Sequence, residues 1–294
     1  MNNKNVPSFD LFKRLGNQSI FLFSKLEDSY GDYDSSNAHR HNYYEVLIFN
    51  KSGGTHEIDF ETIDIKKNSI HFVSPEQIHL LKRDKNVTGY LISFTKELYF
   101  VNNPSFFLFD SFPFFDNPNS SSVISELNEI EFQNFSELIS KITLEFNEEN
   151  EDKLEVLKSI LITFLLLSKR YYLKSSGKLE VPLLKNEMSL KFKKLVNSQF
   201  KTTRNVTEYA SLLNISAGHL SDTLKVELGK TALELINDRV LLEAKRLLYY
   251  SHLSMKEISV ELNFNDASYF SRFFKEKTNT SPEIFREQIR KKYK

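Results

Sequence analysis

The feature of this 294-residue sequence that most constrains its fold is an internal duplication near the C-terminus. Asn205-Val-Thr-Glu208-Tyr-Ala210-Ser-Leu-Leu213-Asn214 aligns with Ser254-Met-Lys-Glu257-Ile-Ser259-Val-Glu-Leu262-Asn263 at an offset of 49. Leu220-Ser221-Asp222-Thr223-Leu224-Lys225 then aligns with Phe270-Ser271-Arg272-Phe273-Phe274-Lys275 at an offset of 50. The single residue gained falls in the turn between the halves. Self-similarity of this kind points to one structural unit used twice rather than to chance helicity.

Each copy opens on a helix start: Asn205 with Glu208, and Ser254 with Glu257, pair an N-cap acceptor with an acidic residue three positions on. The short first helix turns Val206, Tyr209, Ala210 and Leu213 inward in one copy, and Met255, Ile258 and Leu262 in the other. Ala210 and Ser259 are small, which lets the next helix cross closely. A tight turn follows, with Ser216, and either Asn265 or Asp266, able to cap the second helix. The core side of that helix is Leu220, Leu224 and Leu228, or Tyr269, Phe270, Phe273 and Phe274. Two short helices joined in this way predict a helix-turn-helix, whose second helix enters the DNA major groove.

The opposite face carries Gly218, Ser221, Asp222 and Lys225 in the first copy, and Ala267, Ser268, Ser271, Arg272 and Lys275 in the second. Arg272 suits a bidentate contact to guanine, and Lys225 and Lys275 suit phosphates. Taken singly these residues would read as a solvated helix face. The duplication, the caps and the charge favour DNA. Net charge is zero overall, but residues 186–294 hold 19 Lys+Arg against 13 Asp+Glu, a balance of +6, and the remainder carries −6. A basic segment beside an acidic one suggests a polyanion partner.

Upstream, residues 21–94 read as β. Apolar runs at 19–26, 43–50, 55–60, 69–73, 78–82 and 89–94 alternate with turn residues, predicting a small antiparallel barrel or sandwich. Residues 102–122 form a loop rich in Pro, Asn, Ser and Phe that should pack down. Helices are expected at 131–146, with Phe135, Leu138, Ile139, Ile142 and Phe146 on one face, and at 153–173. In the latter, Leu154, Leu157, Ile160, Leu161, Phe164, Leu165 and Leu167 wrap more than one face, so it must be buried, internally or against a second copy. Ser175-Ser176-Gly177-Lys178 begins a linker. From Met188 on, everything reads as helix.

The second copy resembles the AraC/XylS family of transcription regulators. The match runs through Ile258-Ser-x-x-Leu262-Asn-Phe264-x-Asp266-x-Ser268-Tyr269-Phe270-Ser271-Arg272-x-Phe274-Lys275, then Thr280-Ser-Pro282 and Phe285-Arg286. Asn237-x-Arg239 to Ala244-x-x-Leu247-Leu248 resembles the helix that links the two units. Asn263 and Asn279 stand where the family usually has Gly, and Ser259 replaces a usual Ala. Asp222 stands where many relatives have a basic or amide residue; phosphate repels it, but it can accept from cytosine. The N-terminal part looks like the family's cupin-like β domain, through His39-x-His41-Asn-Tyr-Tyr44-Glu45, Pro75-x-x-x-His79 and Gly89-Tyr-x-x-x-Phe94.

The resemblance implies an α+β multidomain chain. Residues 1–122 would be a cupin-like antiparallel β-barrel that senses, 123–175 a helical dimerisation segment, 176–187 a linker, and 188–294 an all-α DNA-binding domain. That domain would hold seven helices with two helix-turn-helix units, reading DNA with 217–228 and 266–277. The implied partners are double-stranded operator DNA, a second copy of the chain, a small-molecule effector and RNA polymerase.

His39, His41, Glu45 and His79 nearly reproduce the His-x-His-x-x-x-Glu run and later His of metal-binding cupins, though without the usual Gly and one residue short in the Pro-to-His spacing. Three readings stay open: a divalent metal, polar residues at strand ends, or a small-molecule pocket. The candidate ligand site is His41, Glu45 and His79, with no metal and no cofactor expected. His56 and His71 have no partner spacing and read as incidental. The alternative function is a cupin-type metal-dependent enzyme fused to a DNA-binding domain.

Other chemistry is thin. The chain has no cysteine, hence no disulfide or sulfur-ligated zinc, and only 8 Gly for phosphate-cradling loops. No P-loop, Rossmann glycine pattern or nucleophile elbow occurs, so no catalytic residue is assigned. The longest apolar stretch, 160–167, falls far short of the ~20 residues a membrane span needs. The polar N-terminus has no secretory h-region. A cytoplasmic location is expected.

Overall fold

The computed structural model describes residues 6–10, 20–29, 37–95, 97–100, 112–116, 122–125, 127–175 and 187–292. The chain divides into two compact units, one spanning Pro7–Val181 and one built on Pro182–Lys294.

In the first unit the strands are β1 (Ser8–Phe9), β2 (Phe21–Lys25), β3 (Arg40–His41), β4 (Tyr44–Phe49), β5 (Gly54–Ile58), β6 (Glu61–Asp64), β7 (Ser69–Val73), β8 (His79–Arg83), β9 (Gly89–Phe94) and β10 (Val123–Ile124). The six apolar runs expected as strands become β2, β4, β5, β7, β8 and β9. They assemble into a five-stranded sheet, β10-β7-β4-β9-β2, and a three-stranded sheet, β6-β5-β8. β1 lies parallel to β3. Among the described residues no ladder closes these sheets into the expected barrel; the two larger sheets meet through side chains. The chain turns sharply between β4 and β5. There Gly54 has φ +82, and a Cβ on it would lie 2.1 Å from the Lys82 carbonyl oxygen, so a side chain at this position is excluded.

Alternation along β4 defines two layers, because successive strand residues point to opposite faces. Val46 and Ile48 join Phe21, Phe23, Ile70, Phe72, Ile92 and Phe94 on one face of the five-stranded sheet. Leu47 and Phe49 point the other way, joining Val73 and Leu91 from the same sheet and Ile58 and Leu81 from the three-stranded one. The second layer is therefore the space between the sheets.

The outer face is covered by α1 (Glu129–Asn147), started by the Asn128/Glu131 capping box, and α2 (Lys153–Ser175). Phe132, Phe135, Ile139 and Ile142 of α1 and Leu157, Leu161, Phe164 and Leu165 of α2 share one core with the sheet. The broad apolar surface of α2 is thus largely buried within its own unit, leaving Leu166 on α2 and Ile130 and Leu144 on α1 exposed. Phe112 and Phe114 pack into that core, as expected of their loop, and Phe114 stacks on Phe72 at 3.9 Å. Residues 102–111 and 117–121 of that loop, and the linker from Ser176 to Asn186, lie outside the described residues.

The second unit holds α3 (Glu187–Gln199), α4 (Val206–Leu212), α5 (Ala217–Leu228), α6 (Ala232–Tyr250), α7 (Met255–Glu261), α8 (Ala267–Thr278) and α9 (Pro282–Lys292). The long α6 packs against α3, α5, α7, α8 and α9. Its Ile236, Val240, Ala244, Leu247 and Leu248 form the spine of the core. Among the described residues no helix is long and apolar enough to cross a membrane.

Candidate functional site

Two places concentrate polar groups in unusual surroundings, and the first lies between the sheets. Glu45 sits on β4 with the parity of Leu47, His56 on β5 with that of Ile58, His71 on β7 with that of Val73, and His79 on β8 with that of Leu81. All four therefore point into the inter-sheet layer, where His41 joins them, and all five are buried. His41 Nε2 lies 3.4 Å and His79 Nε2 3.8 Å from Glu45 Oε2. Ser93 donates to Glu45 Oε1 at 3.4 Å. His79 Nδ1 is 3.1 Å from His56 Nε2, and His56 Nδ1 is 3.1 Å from His71 Nδ1. His39, on an isolated bridge with His79, brings its ring to 4.4 Å from that of His79.

The sequence expectation for His41, Glu45 and His79 as one group holds in space. The view of His56 and His71 as incidental does not, because strand register carries both rings to the group. Burial holds the His71 imidazole down to about 3, and pushes His56 and His79 well below the usual value. Neighbouring rings lower His56 further, beginning with His71, and His39 lowers His79 further. Burial therefore favours the neutral form of His56, His71 and His79, because a charged ring there would lose its hydration.

The second place is the repeated pair of helices. α4 and α7 end identically. Ile215 N–H donates to the Ala210 carbonyl at 3.0 Å and Asn214 N–H to Ser211 at 3.0 Å. In the other copy Phe264 N–H donates to Ser259 at 2.8 Å and Asn263 N–H to Val260 at 3.0 Å. This double pattern is a Schellman motif, which requires a left-handed residue at its hinge. Asn214 (φ 56) and Asn263 (φ 55) supply it. Ser216 then caps α5 by accepting from His219 N–H, and Asp266 caps α8 by accepting from Tyr269 N–H at 2.7 Å. The Ser254/Glu257 capping box forms as expected; Asn205 caps α4 through Thr207 N–H.

On α5 and α8, Leu220, Leu224, Phe270 and Phe274 are buried. Gly218, Asp222, Lys225, Ser268, Arg272 and Lys275 are exposed, and Ser221, Ala267 and Ser271 half-buried, so the expected outer stripe faces out on both helices. Tyr269 departs from expectation. It is 48% exposed and lies 5.9 Å from the Arg272 guanidinium, because it stands a quarter-turn off the face centred on Phe270 and Phe274.

Residues 209–288 match the family described as "Helix-turn-helix domain". The chain is 24% identical over 268 residues to an uncharacterized HTH-type transcriptional regulator, YfiF, of Bacillus subtilis, covering 84% of this chain and 78% of YfiF. It is 24% identical over 284 residues to the HTH-type transcriptional activator RhaS of Escherichia coli, covering 96% of each. The C-terminal unit is an AraC-type helix-turn-helix domain. The chain is accordingly a DNA-binding transcription regulator. Among solved structures, similarity extends to the C-terminal domain of AraT from Geobacillus stearothermophilus, at 25% identity, TM-score 0.34, and 35% of this chain against 86% of that one. It extends also to ToxT of Vibrio cholerae, at 16% identity, TM-score 0.39, and 91% against 98%.

The AraC-type domain accommodates its departures from the family pattern by local means. Asn279, like Asn263, takes the left-handed conformation, at φ 59, and closes α8. Ser259 is buried and satisfies its hydroxyl on the Lys256 carbonyl at 2.8 Å. One feature of this domain lay outside the motif. Arg204, just before α4, stacks on Phe264 at 3.5 Å and donates to the Leu262 carbonyl. Beside it, Asn263 Nδ2 donates to the Thr202 carbonyl at 2.9 Å, and Lys201 pairs with Glu261 at 2.7 Å. The segment entering the first helix pair is thereby clipped to the turn of the second.

Proposed function

We propose that the chain regulates transcription by reading operator DNA with two helix-turn-helix units, α4–α5 and α7–α8. α5 and α8 would enter successive major-groove segments on one face of the duplex. In α5 the contacts fall to Gly218, Ser221, Asp222 and Lys225, and in α8 to Ala267, Ser268, Ser271, Arg272 and Lys275. Arg272 would take the base contact, with Lys225 and Lys275 on phosphates. The observation that carries this reading is the repeated Schellman turn, which gives both second helices the same start and the same outward stripe. Residues 1–122 would act as a cupin-like sensor whose ligand meets His41, Glu45 and His79. Residues 123–175 would pair two copies of the chain through the exposed Ile130, Leu144 and Leu166, and the linker 176–187 would join the sensor to the reader at 188–294. Contact with RNA polymerase would follow on the promoter.

The test is selection of bound duplexes from a random pool by the full-length protein at physiological salt. The expected outcome is an asymmetric site with two short motifs about one helical turn apart. Arg272→Ala should relax preference at one position within one motif and cost about 1–3 kcal/mol. Enrichment of a single motif would remove α5 from the readers, and unchanged preference in the Arg272 variant would remove that side chain.

A further inference from the structure

We infer that His41, Glu45 and His79 hold a divalent transition-metal ion, with His56, His71 and Ser69 fixing which imidazole nitrogen faces it. The site goes beyond the sensing role proposed above and stands whether or not the N-terminal unit controls DNA binding.

The argument is one of counting protons. His41 Nδ1 lies 2.7 Å from the Tyr43 carbonyl oxygen. A carbonyl only accepts, so Nδ1 carries the proton and the neutral ring has its lone pair on Nε2. For His79 the assignment starts at the far end of a chain. The Ser69 hydroxyl donates to the Lys66 carbonyl at 2.7 Å. Its single proton is thereby used, and towards His71 Nε2, 3.5 Å away, Ser69 can only accept. His71 is then protonated on Nε2 and bears its lone pair on Nδ1. His56 Nδ1 must donate to it, which leaves the lone pair of His56 on Nε2. His79 Nδ1 must donate to that, and the lone pair of His79 comes to rest on Nε2.

With both rings neutral, the two imidazole lone pairs therefore converge on one carboxylate oxygen, Glu45 Oε2. Neither Nε2 has a hydrogen-bond partner among the described residues, and both rings are fully buried. The three ligand atoms lie within 4.8 Å of one another. Acceptors facing one another in a buried space are unfavourable, and a metal ion bound among them removes that cost. With metal–ligand bonds of about 2.0–2.1 Å, neighbouring corners of a tetrahedron stand about 3.4 Å apart, close to the observed 3.4 and 3.8 Å. Two imidazoles and a carboxylate without sulfur suit zinc, iron(II), cobalt(II) or nickel(II). The His56–His71–Ser69 chain behind His79, the Tyr43 carbonyl behind His41 and Ser93 behind Glu45 are the supporting hydrogen bonds that such ligands need.

The experiment uses untagged full-length protein, stripped with chelator and titrated with Co2+ and then Zn2+. Expected are one saturable ion per chain, visible ligand-field bands for Co2+, displacement of those bands by Zn2+, and a higher melting temperature with ion bound. Glu45→Gln should weaken binding at least tenfold. His56→Gln, a positioning change, should keep the one-ion stoichiometry and weaken binding about 10–100-fold. His219→Gln, at an exposed ring in the other unit, should change nothing. Absence of saturable Co2+ binding and of the bands in the wild-type protein overturns the site without reliance on any variant. Wild-type affinity in a Glu45→Gln, His79→Gln double variant places the ion on surface groups and overturns it too. Unchanged affinity in His56→Gln removes the histidine chain from the assignment.

Discussion

Protonating His71 requires opening the space between the sheets, and this ties the stability of the N-terminal unit to pH. The folded ring titrates at about 3 because burial strips its hydration, against 6.5 when exposed. Above pH 6.5 the ring is neutral in both states and the full stability is present. As pH falls below 6.5 the unfolded chain takes up a proton that the folded chain refuses, so stability declines until about pH 3. Each such group adds a slope of about 1.4 kcal/mol per pH unit within that window. Urea unfolding of the full chain in chelator should show this decline, and His71→Asn should flatten it by one proton; an identical slope in the variant would contradict the burial of the ring. That His56 and His71 belong to the cluster was not legible in the sequence. His41, Glu45 and His79 have a recognisable spacing. His56 and His71 reach them only because β5 pairs His56 with Leu81 on β8, and β4 pairs Leu47 with His71 on β7. Register is a property of strand pairs and leaves no mark on either strand alone.

Among the elements, the repeated turns show how far a local rule can be pushed. Asn tolerates the left-handed region through its short polar side chain, whereas a residue such as Ala pays roughly 1–2 kcal/mol there. Asn263→Ala should therefore lower the stability of the C-terminal unit by about that amount, with the loss concentrated in amide exchange of α8. Asn263→Gly should recover the backbone part but not the bond to the Thr202 carbonyl. Equal stability of all three forms would mean that the turn does not set the helix pair. Most of this region was readable beforehand, since caps, turn length and the faces of α5 and α8 follow from residues within one turn of each other. Tyr269 was misread as core, because an aromatic next to Phe270 satisfies the same pattern. Closure of the strands stayed open between barrel and sandwich, since short alternating runs at 55–60 and 78–82 fit two stacked sheets as well as a barrel.

For the molecule as a whole, the charge division is the electrostatic counterpart of the two units. The excess of basic residues over 186–294 predicts affinity that falls with salt as phosphate-bound counterions are released. Lys225→Ala and Lys275→Ala should each reduce the slope of log K against log salt by about 1 without altering base preference. A slope that stays at the wild-type value in both would move the phosphate contacts elsewhere on the unit. The shift from β to helical periodicity near residue 129 falls inside the first unit and not between the two. What was hidden is that the helices α1 and α2 share one core with the sheet. If α5 and α8 both read DNA as proposed above, the clip at Arg204 bears on how they share a duplex. A domain whose halves could swivel would tolerate an extra base pair between its two motifs. Each inserted pair rotates the next motif by about 34–36° around the duplex axis, and a guanidinium held 3.5 Å over the Phe264 ring would keep the halves from following. On that reading the spacing between motifs would be part of the address, as fixed as the bases themselves.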